Sequence, residues 1–175
     1  MARCVLYGTF RGGSGSSGRG NPGAGGLDLY PQEKSGSGSP VSVSVLDTSA
    51  CAALMRHDPQ IEAFLRSLAP GDVALVPPVV AEIEYGIRRL EAGSRKRALL
   101  ERELTRLLET IQVLEWTGES SVQFGEIKAQ LERDGTPIDD MDVAVAAIAL
   151  SHGAEVVTAS LAHFSRIGTL TARRL

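Results

Sequence analysis

Three carboxylates stand where the apolar runs of this chain begin or end. Asp47 closes the run at residues 41–46. Glu82 lies early in the helical stretch after Pro77-Pro78, and Asp142 opens the apolar run at residues 143–150. Carboxylates brought together repel and raise one another's pKa unless cations hold them ionised. An all-oxygen set of this kind suits Mg²⁺ or Mn²⁺, ions that keep several waters and bind substrate phosphates. Ions so placed activate water and stabilise the leaving oxygen of a phosphodiester. No His or Cys stands at zinc-ligand spacing. His57, His152 and His163 fall at helix ends or in loops, and none has a visible partner for nucleophilic chemistry.

Each acid also has a plain structural reading. A lone Asp at a strand end serves more often as a turn or cap than as a ligand. Asp139 is most simply a helix cap, and Asp140 can cap, bind a metal through water or orient Asp142. Glu84, two positions from Glu82, points to another side of its helix and reads as solvated. The chemical reading rests on the conjunction of acids, not on any one of them.

The elements that must position these acids alternate between strand and helix. Residues 41–46 alternate Val and Ser before Leu46, a strand with Asp47 at its carboxyl end, where open α/β sheets bind their ligands. Thr48 and Ser49 are good caps for a helix at residues 50–56, and Asp58-Pro59 opens a second. Residues 73–76 form a short buried strand. Residues 79–90 are helical, as are residues 94–110, where Leu99, Leu100, Leu104, Leu107 and Leu108 form a core stripe. A third strand at 111–114 precedes a helix at 120–133, with Val122, Ile127 and Leu131 on its apolar face. Asp139 and Asp140 start a helix that is apolar all round through Leu150, and so buried, with Gly153 as its stop. A fourth strand covers 155–158; a short turn through Phe164 and a weak strand near Leu170 complete the chain. The pattern predicts an α/β fold, a parallel sheet of four to five strands with helices on both faces.

Composition narrows the classes further. Residues 1–40 hold 11 of the 19 glycines and are otherwise rich in Ser, Pro and Arg. Such a segment buries too little apolar surface to order itself, so a disordered tail is expected, followed by one domain at 41–175. The tail is either a genuine basic segment or translated upstream sequence, and the domain that starts directly after it favours the second. Residues 41–175 carry 14 basic and 19 acidic groups, a net −5. Bulk charge therefore does not grip nucleic acid, and a polyanion needs metal ions or a local basic patch. No apolar run is long enough to span a membrane, and the N-terminus lacks a signal-peptide core. Two cysteines, Cys4 and Cys51, make no disulfide framework, so a reducing cytoplasm is expected.

Four segments carry a family resemblance: Val-Leu-Asp-Thr-Ser (45–49), Ala-Glu-Ile-Glu-Tyr-Gly (81–86), Gly-Thr-Pro-Ile-Asp-Asp-Met-Asp-Val-Ala-Val-Ala-Ala (135–147) and Val-Val-Thr-Ala-Ser-Leu-Ala-His-Phe (156–164). In order and spacing they resemble the signature blocks of VapC-type toxins, the PIN-domain ribonucleases of type II toxin–antitoxin systems. The resemblance implies a Mg²⁺-dependent endoribonuclease, homodimeric and inhibited by a small VapB-like antitoxin. It carries catalytic and metal-ligating roles onto Asp47, Glu82 and Asp142, with Asp140 as an additional acid. Ser49 and Thr158 match auxiliary residues beside the metal. The family's fourth acidic position falls on Ser160, which supplies no charge.

For the RNA strand, Arg88, Arg89, Arg95, Lys96 and Arg97 form a candidate basic patch, equally readable as a solvated helix face. A rival reading keeps the fold and drops the cleavage: a binding module that docks antitoxin or RNA. Phosphatase or receiver chemistry ranks below both. Asp47-Thr48-Ser49 lacks the second Asp of aspartyl phosphatases, and no Lys stands at a late strand end.

Overall fold

A computed structural model describes residues 43–69 and 71–175. The expected tail at 1–40 lies outside the described residues, as does the start of the first strand. Five strands, β1 (Ser44–Leu46), β2 (Val73–Leu75), β3 (Gln112–Val113), β4 (Glu155–Thr158) and β5 (Ala172–Arg174), pair in parallel in the order β3-β2-β1-β4-β5. Parallel neighbours need crossovers. The helices flanking the sheet are α1 (Thr48–Met55), α2 (Pro59–Arg66), α3 (Pro77–Arg88), α4 (Arg95–Thr110), α5 (Gly118–Arg133) and α6 (Asp140–Ser151). This is the α/β architecture expected from the alternating pattern. The chain steps outward from β1 through β2 to β3, then returns to place β4 and β5 on the other side of β1. Strand order thus reverses between β1 and β4, and such a switch point opens a crevice at the strands' carboxyl ends.

Helix α6 is the centre of the core. Every residue from Val143 to Ala149 is buried, as its all-round apolar sequence requires. Asp139 caps its start, accepting the Met141 N–H at 2.8 Å. Its end is a Schellman turn: Gly153 takes φ +62°, its N–H reaches Leu150 O at 3.1 Å, and Ala154 N–H reaches Ala149 O at 2.8 Å. The central strand β1 is buried along its whole length. Ser44 is tolerated there because its hydroxyl donates to the buried Glu155 at 2.8 Å, and Arg173 approaches the other oxygen of that carboxylate at 3.4 Å. Cys51 is a fully buried core residue with a free thiol. Burial pushes its thiol up to about 12, with the Asp47 charge adding to the effect, so it stays protonated and inert.

Some expectations need correction. Helix α1 begins at Thr48, and its cap is Asp47 rather than Thr48 or Ser49. In α4 only Leu104 and Leu107 are buried and Leu100 partly so; Leu99 and Leu108 are exposed. Five leucines span more of the helix circumference than one packed face can cover. Val122 of α5 is likewise exposed, while Ile127 and Leu131 pack inward. Among the described residues no helix is long and apolar enough to cross a membrane. The leucine correction is measurable by denaturation: Leu104→Ala is expected to cost about 2–5 kcal/mol and Leu99→Ala within about 0.5. Equal losses at the two positions would contradict the packing described.

Candidate active site

Asp47 follows β1 directly, and its position decides its partners. Its backbone N–H continues the sheet to Val157 O at 3.0 Å, which seats it beside the end of β4. The side chain turns onto the first turn of α1, where Oδ1 accepts the Ala50 N–H at 2.7 Å. The Ser49 hydroxyl donates to the same carboxylate at 2.8 and 3.0 Å. The Thr158 hydroxyl, closing β4, donates to Oδ2 at 2.7 Å. Ser49 Oγ in turn accepts the Ala159 N–H at 2.9 Å, and Thr158 Oγ1 accepts the Ser160 N–H at 3.0 Å. Three donors therefore meet a carboxylate with about four acceptor positions, leaving about one open. The group is 7% exposed, and the bonds that satisfy it also fix its direction.

The other acids reach the same rim through different partners. Glu82, half-buried in α3, accepts a hydrogen bond from the Thr48 hydroxyl in the first turn of α1. Asp142 lies in the first turn of α6, and its Oδ2 meets His163 Nδ1 at 2.6 Å. The contact suits the imidazole tautomer that carries its proton on Nδ1, with the carboxylate accepting. Oδ1 of Asp142 has no hydrogen bond among the described residues. Thr158 ends β4, Thr48 follows Asp47 at the end of β1, and His163 lies in the segment after β4, so each acid is tied to a residue at or after the carboxyl end of β1 or β4. Among the described residues no three acidic, His or Cys side chains close into a group that could hold a metal ion. Glu82 and Asp142 are instead drawn to Thr48 and His163.

The remaining candidates divide. Ser49 and Thr158 are in direct contact with Asp47, whereas Ser160 contributes backbone contacts to Thr158 and no charge. Asp140 is turned to Lys128 of α5, whose Nζ donates to both carboxylate oxygens at 2.6 and 2.8 Å. That hydrogen bond holds the Lys128 ammonium above its ordinary value. The basic run is partly neutralised. Arg88 pairs with Glu84 and Glu101, Arg97 pairs with Glu101, and Arg89 stacks on Tyr85 at 5.7 Å. Arg95 and Lys96 are exposed in the first turn of α4 and make no ion pair among the described residues. His163 and Lys128 are the rim residues that sequence reasoning missed. Neither has a local signal: their acids lie 21 and 12 positions away.

A parallel α/β sheet with oxygen-only donors at its switch point defines a scaffold for phosphoryl chemistry, and comparison with known proteins narrows the class. The model of the PIN domain family matches residues 44–169. The tRNA(fMet)-specific endonuclease VapC of Salmonella typhimurium is 30% identical over 123 residues, covering 70% of this chain and 90% of that protein. Ribonuclease VapC2 of Haemophilus influenzae is 31% identical over 124 residues, again 70% and 90% of the two chains. The DNA-bound VapBC structure from Salmonella typhimurium superimposes with a TM-score of 0.65 at 27% identity, over 76% of this chain and 98% of that one. The chain belongs to the PIN domain family, in its VapC-type branch.

Stability separates the two Asp residues. Asp47→Ala removes a helix cap and the partner of a buried hydroxyl, and is expected to cost about 1–3 kcal/mol in urea unfolding. Asp142→Ala, breaking only a half-exposed pair, is expected to stay within about 0.5 kcal/mol. A larger loss at Asp142 than at Asp47 would refute this division.

Proposed function

We propose that this protein is the toxin of a type II toxin–antitoxin pair and acts in the cytoplasm as an endoribonuclease that requires Mg²⁺ or Mn²⁺. The observation that carries the reading is the arrangement at the switch point. Asp47 is held by Ser49, Thr158 and the α1 backbone with about one acceptor position to spare, and Asp142 keeps Oδ1 outside its bond to His163. The donor set consists of oxygens alone, which fits a hard divalent cation. Asp47, Glu82 and Asp142 would hold that cation, which supplies a more acidic water and charge stabilisation at phosphorus. The chain's own residues do the positioning. Ser49 and Thr158 aim Asp47, and Thr48 aims Glu82. Asp140, tied to Lys128, shapes the start of α6 and is not a direct ligand in this reading.

The negative domain charge leaves RNA contact to local cations. Arg95 and Lys96 are the strongest members of the basic run for that role. They sit at a helix N-terminus, where the dipole disfavours cations, and have no acidic partner among the described residues. The named relatives support RNA as substrate, and the Salmonella typhimurium enzyme's name makes transfer RNA the first one to offer. The VapBC complex supports a VapB-like antitoxin as partner, and the family resemblance supports a homodimer.

The test is cleavage of transfer RNA and total RNA by purified protein with Mg²⁺ and with EDTA. Asp47→Asn and Asp142→Asn, which keep size and much of the hydrogen bonding, are expected to lower the rate at least about 100-fold. Cleavage surviving in both variants, or in EDTA, would overturn the assignment. Wild-type protein that binds antitoxin and cuts no RNA would favour the binding-module reading.

A further inference from the structure

We infer that His163 is a positioning residue, one that fixes Asp142 through Oδ2 and leaves Oδ1 to a divalent cation. The inference rests on the metal-dependent reading above and names the group that orients its third acid.

Four observations support it. First, the contact is short, 2.6 Å between Nδ1 and Oδ2, the geometry of an imidazole Nδ1–H donating to a carboxylate. Second, neither partner has a competing structural task. His163 precedes the 3-10 turn Phe164–Arg166 but its side chain caps nothing, and the cap of α6 is Asp139. Third, the backbone carrying His163 is pinned. Phe164 next to it is 2% exposed, and Ser165 N–H and Ile167 N–H bond back to Leu161 and Phe164. A ring anchored in this way holds its partner in one place. Fourth, Asp142 forms no other side-chain hydrogen bond among the described residues. Without His163 its half-exposed carboxylate is free to rotate.

The contact contributes little to the fold. Both side chains are partly exposed, at 54% and 26%, and surface pairs of this kind contribute roughly 0–1 kcal/mol. Its value lies in orientation. Residues that orient a metal ligand typically change metal affinity by about 10–100-fold when removed. The demand is sharper here because Ser160 brings no carboxylate to the rim, so fewer acids share the work of holding an ion. Metal affinity also separates orientation from blocking. If His163 merely occupied Asp142, its removal would free the carboxylate and tighten metal binding; if it positions Asp142, removal weakens binding.

The experiment is Mn²⁺ titration by calorimetry of the full chain, without RNA, on wild type and on His163→Ala, His163→Asn and His163→Gln. Melting temperatures without metal check folding. The Asn amide can replace Nδ1–H, whereas the longer Gln amide projects towards the Nε2 position. His163→Ala and His163→Gln are therefore expected to bind Mn²⁺ about 10–100-fold more weakly, and His163→Asn within about 3-fold of wild type. Wild-type or tighter affinity in a folded His163→Ala would overturn the inference, as would equal losses in the Asn and Gln variants. Asp142→Asn separates the two levels of the argument. Binding lost there but unchanged in His163→Ala defeats the positioning role alone, whereas wild-type protein that binds no Mn²⁺ defeats the metal-dependent reading and this inference with it.

Discussion

The carboxylate of Asp47 joins the fold to the site. It caps α1 through the Ala50 N–H, and it bridges β1 to β4 by accepting the Thr158 hydroxyl. These bonds form where the chain turns from its central strand into its first helix beside β4. A buried carboxylate without such donors would be costly, so its burial and its hydrogen bonds go together. The same bonds limit what it can do afterwards. With three donors in place the group cannot wander, and what it can still offer is about one lone-pair position. Orientation of a ligand is thus a by-product of helix capping. Folding and chemistry impose the same geometry here.

The buried helix α6 imposes a second constraint. A helix apolar from Val143 to Ala149 fits only inside the molecule, so its polar ends must be satisfied at the surface. At its start three acids are divided among three partners: Asp139 to the backbone, Asp140 to Lys128 and Asp142 to His163. Near its end Ser151 bonds the buried Ser120 of α5 at 2.7 Å. Lys128 and Ser120 both lie on α5, so the helix packed along α6 also fixes its rotation. That rotation sets where Asp142 emerges.

Much of this was legible in the sequence because it depends on local pattern. The 3.6-residue and all-apolar patterns located the helices, and Gly153 marked the end of α6. The strand-end position of Asp47 agrees with its place directly after β1, beside the end of β4. What failed were choices among near-equivalents and contacts between distant segments. Asp47, Thr48 and Ser49 are all competent caps, and only the position of β4, with Thr158 beside it, selects Asp47. Leu99 and Leu104 are identical in type, and burial depends on which arc of α4 the sheet covers. The pairings of His163 with Asp142 and Lys128 with Asp140 cross from one element to another. No periodicity encodes them, and a histidine in a loop has no distinguishing neighbour in the sequence.

The basic run shows why a pairing must be weighed before it is read as neutralisation. Arg88 and Arg97 are held by Glu84 and Glu101 in pairs that are partly exposed, Arg97 being the most covered of the four. Such pairs contribute roughly 0–1 kcal/mol each, so exchanging a carboxylate for a phosphate costs little. A phosphate also accepts the two parallel N–H bonds of a guanidinium at least as well as a carboxylate. The glutamates would be the opposition to such an exchange, because they remain beside the arginines and would repel a phosphate strand. Screening decides the balance: at about 0.15 M salt the Debye length is about 8 Å, so only acids close to the contact count. In the RNA-binding reading proposed above, Arg95 and Lys96 would make the first contact, with Arg88 and Arg97 joining once a strand is held.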